Sequence, residues 1–473
     1  MAGRPLTLQP ARDVVSKLAL YSVAAAACLA ACPAYAGEGA LSAEEAARLR
    51  AEITALKTQI RGLEQRLDAA APASAEPAPI QQLAAEPKDE TTIRWKGSPE
   101  FVSGERTFKV KGRIQADAGY VSQPPGLDDP AFGFASEFRR IRLGGEGSLG
   151  AGVGYKLELE LSDNAVDLVD TFVTYESGRW LLTAGNHNAF QSLDELTGDT
   201  TGSFMERAAF TDAFNFERRL GVSAQYRGKP WLVQAGVFTD DVEALSDASD
   251  GPEGGDENDS FSLDGRVVFA PKLAGTQLHL GGSAHWRKLN RTADAGTRYR
   301  QRPYLHANNS RVVATPTLAV DREFNYGLEA ALIRGRLHLA SEVHWLRARR
   351  PAAADAAFVG AYGEVGWFLT PGDRRGYKDG QFARSTPARP LGDGGFGSVQ
   401  VSLRYDYLSL DDGAVRGGEQ RGYLGALIWQ PVRDFRINLN YGYLDYSGAA
   451  LAAAGGERDY GLHVGAARFE LDF

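Results

Sequence analysis

Between Phe108 and Tyr120 apolar and polar residues alternate. Phe108, Val110, Ile114, Ala116, Ala118 and Tyr120 fall on one side, and Lys109, Lys111, Arg113, Gln115 and Asp117 on the other. Only an extended chain has that two-residue period. The pattern returns at Tyr155–Leu161, Leu220–Tyr226, Phe261–Phe269, Leu278–Trp286, Val399–Tyr407 and Ile437–Tyr443, and about sixteen such segments fill the chain from Thr107 to Phe473. A soluble sandwich also alternates, but it packs its inner faces dry. Here the polar faces carry Lys, Arg, Glu, Asp, Asn and His in strand after strand, and unpaired charges are costly to bury. Those faces must meet water, so the apolar faces must meet something else.

A wide barrel in a membrane satisfies both conditions. Aromatic residues stand near the ends of the segments, at Tyr120, Tyr175, Trp180, Tyr226, Trp231, Trp286, Trp345, Trp367 and Trp429, where amphipathic rings prefer the headgroup layer. Connections differ in length. Gly228–Pro230, Arg334–Gly335 and Gln430–Val432 are tight, whereas Asp240–Ser260, Lys288–Asp321 and Pro371–Gly395 are long. Short turns at one rim and long loops at the other are the outer-membrane arrangement. The reading is an all-β, sixteen-stranded antiparallel transmembrane β-barrel over 107–473, preceded by a periplasmic coiled-coil helix.

That helix is expected over 37–70. Ser42 and Glu45 form a capping box, and Leu49, Ile53, Leu56, Ile60, Leu63 and Leu67 recur at steps of four and three, a heptad seam that needs partner helices. Ile and Leu at the seam nominally favour two strands. Residues 71–106, rich in Ala, Pro and Glu, are expected to be a linker. Residues 1–36 are read as an export signal: Arg4, Arg12 and Lys17, an apolar run from Leu18 to Ala31, and Ala34-Tyr35-Ala36 as the cleavage site. Leu29-Ala30-Ala31-Cys32 resembles a lipoprotein box, against which Pro33 argues. Cys28 and Cys32 are the only cysteines, so removal of the signal leaves no disulfide, thiol nucleophile or cysteine metal site.

Composition closes other classes. Mean hydropathy is −0.30 over 473 residues, too polar for a bundle of membrane helices. The formal charge of −8 speaks against a general nucleic-acid binder. No G-x-S-x-G elbow is present. His279/His285 and His338/His344 are each six apart, too far on a strand for shared metal ligation, and read as lumen lining. The reading has no enzyme activity, metal or cofactor. Asp240–Asp264, acidic throughout, reads as a solvated outer loop.

Several stretches carry a resemblance. Phe138-Arg139-Arg140-Ile141-Arg142-Leu143, Gly185–Phe190 through Met205-Glu206-Arg207, Gly366–Gly372 and Val401–Tyr407 follow one another in the order of the second strand, the constriction segment and the twelfth and thirteenth strands of the phosphate-selective porin O and P family. The terminal Phe473 resembles the assembly signal of outer-membrane barrels. From Phe108 to Phe473 the chain resembles that family of Gram-negative outer membranes. The resemblance implies a sixteen-stranded homotrimeric porin set among outer-membrane lipid and lipopolysaccharide, and three strands in the coiled coil rather than two.

A pore selects by the charges on its inner face. Alternation places Lys109, Lys111 and Arg113 inside the first strand. It places Arg140 and Arg142 inside the second and leaves Arg139 towards that strand's outer end. Arg287–Arg311 is strongly basic and includes Arg291. Arg298, Arg300 and Arg302 share one side of an extended segment, and guanidinium forks suit oxyanions. By resemblance, Arg298, Arg300 and Arg302 correspond to the family's arginine ladder, and Arg139 and Arg140 to part of its lower site. The candidate anion-binding residues are therefore Arg113, Arg139, Arg140, Arg291, Arg298, Arg300 and Arg302. Two departures count against phosphate as such. Tyr304, Leu305 and His306 interrupt the ladder, and Asn186–Phe190 lacks charge. Small anions, phosphate or polyphosphate among them, are the expected cargo; dicarboxylates, weak selectivity and a structural anchor without transport stay open.

Overall fold

The computed structural model describes residues 90–473, apart from 163, 240–241, 243–259 and 290–295. Before residue 90 it describes only Thr54, Ala55, Lys57, Thr58, Arg61 and Gly62, all helical. The signal segment, the heptad seam, Cys32, Arg291 and most of the acidic loop lie outside the described residues.

Sixteen strands form one antiparallel barrel: β1 (Arg106–Val121), β2 (Gly133–Gly150), β3 (Val153–Glu160), β4 (Asp167–Ser177), β5 (Trp180–Asn188), β6 (Arg218–Gly228), β7 (Trp231–Phe238), β8 (Phe261–Phe269), β9 (Thr276–Lys288), β10 (Arg322–Arg334), β11 (Leu337–Arg349), β12 (Ala356–Phe368), β13 (Ser398–Asp412), β14 (Val415–Val432), β15 (Phe435–Ser447) and β16 (Tyr460–Asp472). Each pairs with its neighbour in sequence, and β16 closes on β1 from Val464↔Val121 to Asp472↔Arg113. Closure leaves no unpaired edge inside a membrane.

The alternation expected from the sequence holds strand by strand. In β10, Phe324, Tyr326 and Leu328 are exposed on the outside while Glu323, Asn325 and Glu329 are buried inside. Aromatic pairs mark both rims. Trp180–Tyr226, Trp231–Phe269 and Phe396–Trp429 lie beside the turns. Phe261–Trp286 and Tyr326–Trp345 lie towards the loops.

Three details differ from the sequence reading. The end of the stretch read as linker forms a hairpin, Thr92–Trp95 with Pro99–Ser103, whose second arm pairs with the start of β1. Strand β14 runs through Gln430–Val432 across a register shift, and the tight turn is Arg433–Asp434. The long connection after β12, residues 369–397, emerges at the rim of the tight turns, not with the other long loops. It turns back into the barrel. Arg266 of β8 donates to the Gly380 carbonyl at 2.7 Å, and Tyr377 meets His279 of β9 at 2.7 Å.

Candidate functional site

The connection between β5 and β6, residues 189–217, folds into the lumen and carries two short helices, α1 (Leu193–Leu196) and α2 (Ala209–Ala213). Their first amide groups have no partners within the helix, and wall carboxylates supply them. Glu342 of β11 accepts from Leu193 N at 2.8 Å and Asp194 N at 2.7 Å. Asp406 of β13 accepts from Ala209 N at 3.1 Å. Phe210 of α2 stacks on His344 and lies against Gly360 of β12, where an added Cβ would come 2.5 Å from the Phe210 Cβ. Inward carboxylates and a missing side chain thus seat the loop against β11–β13.

The loop's own Arg207 ties its two arms together, donating to the carbonyls of Asp194, Glu195 and Thr197. Between them Asp199 projects into a ring of guanidinium groups. Its Oδ2 lies 3.1 Å from Arg140 Nε, 3.4 Å from Arg113 Nη1 and 3.6 Å from Arg142 Nη1, and its Oδ1 lies 3.1 Å from Arg207 Nη2. Burial by itself would push this carboxyl's pKa up. Arg140 first, then Arg207, Arg142 and Arg113, overcome it and hold Asp199 well below the usual carboxylate range.

Two cavities flank this point. One, of about 170 Å³, holds Arg302, Tyr304 and His306 from the connection after β9 together with Arg139, Arg140 and Arg404. The other, of about 390 Å³, lies towards the turns, among Arg113, Arg142, Lys156, Arg218 and Arg227, with Asp379 and Gln381 of the returning segment. Glu195, Gly198, Asp199 and Arg207 line both and form the partition between them. The smaller has room for on the order of ten waters.

A lumen-filled sixteen-stranded barrel with an infolded loop and an inward arginine cluster can be placed among known proteins. The sequence profile described as "Phosphate-selective porin O and P" matches residues 108–473. The chain belongs to that family. A protein of Caulobacter vibrioides, itself uncharacterised, is 58% identical over 470 residues, covering 95% of each chain. Among solved structures, an anion-selective porin from Comamonas acidovorans superimposes with a TM-score of 0.51 at 13% identity, covering 78% of this chain and all of that one. That likeness is of fold alone. The outer membrane channel DcaP of Acinetobacter baumannii gives a TM-score of 0.46 at 12% identity, covering 79% and 99%. Membership in the porin family, with the barrel, makes this chain an outer-membrane channel of the Gram-negative type.

Within that porin frame the expected residues separate. Arg113 and Arg140 converge on Asp199. Arg139 is not near the outer end of its strand but in mid-strand. Gln115 pairs with Arg140 and Ala116 with Phe138, so Arg139 is the extra residue of a bulge. The bulge breaks strict alternation and lets Arg139 face inward beside Arg140, with Glu206 at 3.8 Å. Arg298, Arg300 and Arg302 do share one side: the first two are exposed and Arg302 is half-buried at the cavity. Their neighbours Tyr299 and Gln301 are buried on the other side. Arg302 and Arg311 lie beside the Asp212 carboxylate of α2, at 3.9 and 2.9 Å. His279, His285, His338 and His344 are buried on the inner faces of their strands.

The carboxylates were the part not foreseen. Asp194, Glu195, Asp199, Glu206 and Asp212 line the same cavity as Arg139, Arg140, Arg207, Arg302 and Arg404. Arg142 and Arg404 were visible as inward positions by alternation. Arg207 stood in a recognised motif. Asp199, in an irregular loop, carried no periodic signal.

Proposed function

We propose that this porin passes small anions and that its selectivity arises at the partition around Asp199, with Arg113, Arg139 and Arg140 as the lower site and Arg298, Arg300 and Arg302 as the approach from the loop rim. The observation that carries the reading is the convergence of Arg113, Arg140, Arg142 and Arg207 on one point between two lumen cavities. Four guanidinium groups within reach of one oxyanion make a site for a tetrahedral or planar anion. The exposed arginines above it add positive potential that draws anions in and repels cations. The anion selectivity named for the Comamonas porin agrees with this reading.

The five carboxylates at the cavity favour modest preference over tight phosphate capture, because they cancel much of the local charge. Phosphate and dicarboxylates such as succinate both fit the chemistry. Three copies per assembly, with lipopolysaccharide around them, accord with the family resemblance. The deciding measurement is the reversal potential of single channels in a salt gradient, with phosphate and then succinate as blockers. A cation-directed reversal potential rejects the proposal, and absence of conductance favours a structural anchor. Stronger block by succinate than by phosphate assigns the channel to dicarboxylates.

A further inference from the structure

We propose that the returning segment 369–397 builds an anion site of its own, away from the partition: the buried guanidinium of Arg375, with Arg374 and Lys272, binds a small oxyanion such as inorganic phosphate, and the bound anion fastens the segment to the barrel wall. Arg375 stands at the head of a short hairpin, Gly376–Lys378 with Gln381–Ala383. It lines a cavity of about 490 Å³ that shares no described lining residue with the two cavities at Asp199.

Three observations carry it. First, Arg375 is 5% exposed. Its Nε has no hydrogen-bond partner, and among the described residues no carboxylate lies within ion-pair distance of it. An arginine in a protein keeps its charge, and a buried charge without a counter-ion is costly. Second, the nearby carboxylates are engaged elsewhere. Glu364 of β12, whose charge pulls on Arg375 most, is held by Arg404 at 2.8 Å. Asp373, two residues back in the chain, accepts from Ala388 N at 2.6 Å and from the Thr370 hydroxyl. Third, the cavity is basic. Lys272, Arg374 and Arg375 line it, and among the described residues no carboxylate does. The two cavities at the partition, by contrast, hold both signs.

The walls hold the fork in place. The Arg375 guanidinium lies over the Phe382 ring at 4.7 Å, a contact that covers one face of the planar group and offsets part of its burial. Phe382 is itself buried and stands edge-on to His338 of β11. Lys272 comes from the turn between β8 and β9, and Gly335 from the turn between β10 and β11, so the cavity sits at the rim of the tight turns. Tyr377 lines it from the hairpin, its hydroxyl 2.7 Å from His279 Nδ1. A fixed guanidinium fork beside two exposed cations suits a small oxyanion. An anion that binds the docked segment and not the undocked one favours docking by mass action. The anion is thus a counter-ion shared by the segment and the wall.

The test is hydrogen–deuterium exchange of the full-length protein in detergent, read by mass spectrometry on peptides covering 374–384, in inorganic phosphate and in chloride at matched ionic strength. Where opening of the segment governs exchange, phosphate at about ten times its half-protecting concentration should slow it about ten-fold, and chloride should protect less. Arg375→Gln removes the charge, so the phosphate dependence should vanish. Should that variant fail to assemble, Arg375→Lys keeps the charge without the fork, and the half-protecting phosphate concentration should rise. Exchange indifferent to phosphate, equal protection by chloride, protection that persists in Arg375→Gln, or an unchanged half-protecting concentration in Arg375→Lys overturns the site. None of these outcomes bears on the partition, whose own test is the reversal potential.

Discussion

Arg113 Nη1 lies 3.4 Å from Asp199 Oδ2, although 86 residues separate them. The contact joins the first strand of the barrel to the infolded loop and brings one strand's inward charge to the middle of the pore. The same Arg113 pairs with Asp472, whose carboxylate also accepts from Thr200 beside Asp199. The seam where the barrel closes and the loop that narrows it thus share partners.

Arg140→Gln should reduce anion preference and weaken phosphate block, because Arg140 is the ring member with a single carboxylate partner. Its loss removes more uncompensated positive charge than loss of Arg142, which keeps Glu160 occupied. Reversal potentials of the two single variants check this, and an equal or larger effect at Arg142 would contradict it.

Replacing Arg298, Arg300 and Arg302 together with Gln should lower anion entry without unfolding the barrel. These side chains lie on the water-facing side of a connection and contribute no membrane-facing surface. Their influence is a long-range field, screened within about 10 Å at 0.1 M salt. The shift in reversal potential should be large at low ionic strength and vanish near 1 M. A shift independent of salt would place the arginines at the narrow point instead.

Asp117→Ala should weaken the closing seam. Arg468 of β16 donates Nε and Nη2 to the two Asp117 oxygens at 2.7 Å each, and both side chains are almost fully buried. Removing one partner of such a pair typically costs about 3–5 kcal/mol. The temperature at which the folded band converts to the unfolded one in detergent gels should fall. An unchanged temperature would mean that Glu206, 2.9 Å from Arg468, takes over the charge.

Arg384→Ala should loosen the segment that returns from the turn rim. Arg384 binds Asp472, Asp434 and Thr200, linking that segment to the barrel wall and to the constriction loop. Conductance fluctuations and the mean open current should increase. Identical single-channel traces would show that Arg266 and Tyr377 hold the segment sufficiently.

The protein should run as a heat-modifiable trimer, and deletion of Leu41–Ala70 should leave the barrel folded and conducting. The barrel closes within the described residues through β1 and β16. Failure of the deletion variant to fold would make the helix part of the barrel's assembly, and a monodisperse monomer of the full-length protein in light scattering would contradict the trimer.

Much of the barrel was legible because its signal is local. A two-residue period is written in neighbouring side chains, so Phe324, Tyr326 and Leu328 announce an outer face and Glu323, Asn325 and Glu329 an inner one without reference to any other strand. The same rule placed Arg113, Arg140 and Arg142 in the lumen. Arg139 escaped it because a bulge depends on how β2 pairs with β1, a property of two strands. The segment 369–397 escaped it because length alone does not tell at which rim a loop emerges or whether it turns inward.

The sequence by itself determined the period, the sign of each face and therefore a water-filled barrel with an arginine-bearing wall. Only the tertiary structure decided what stands opposite those arginines. Asp199, Glu206 and Asp212 lie in an infolded loop whose position is set by contacts with β11, β12 and β13. A carboxylate meets a guanidinium across a barrel through closure and infolding, which no local pattern encodes. The balance of charge in the lumen is a property of that distant pairing.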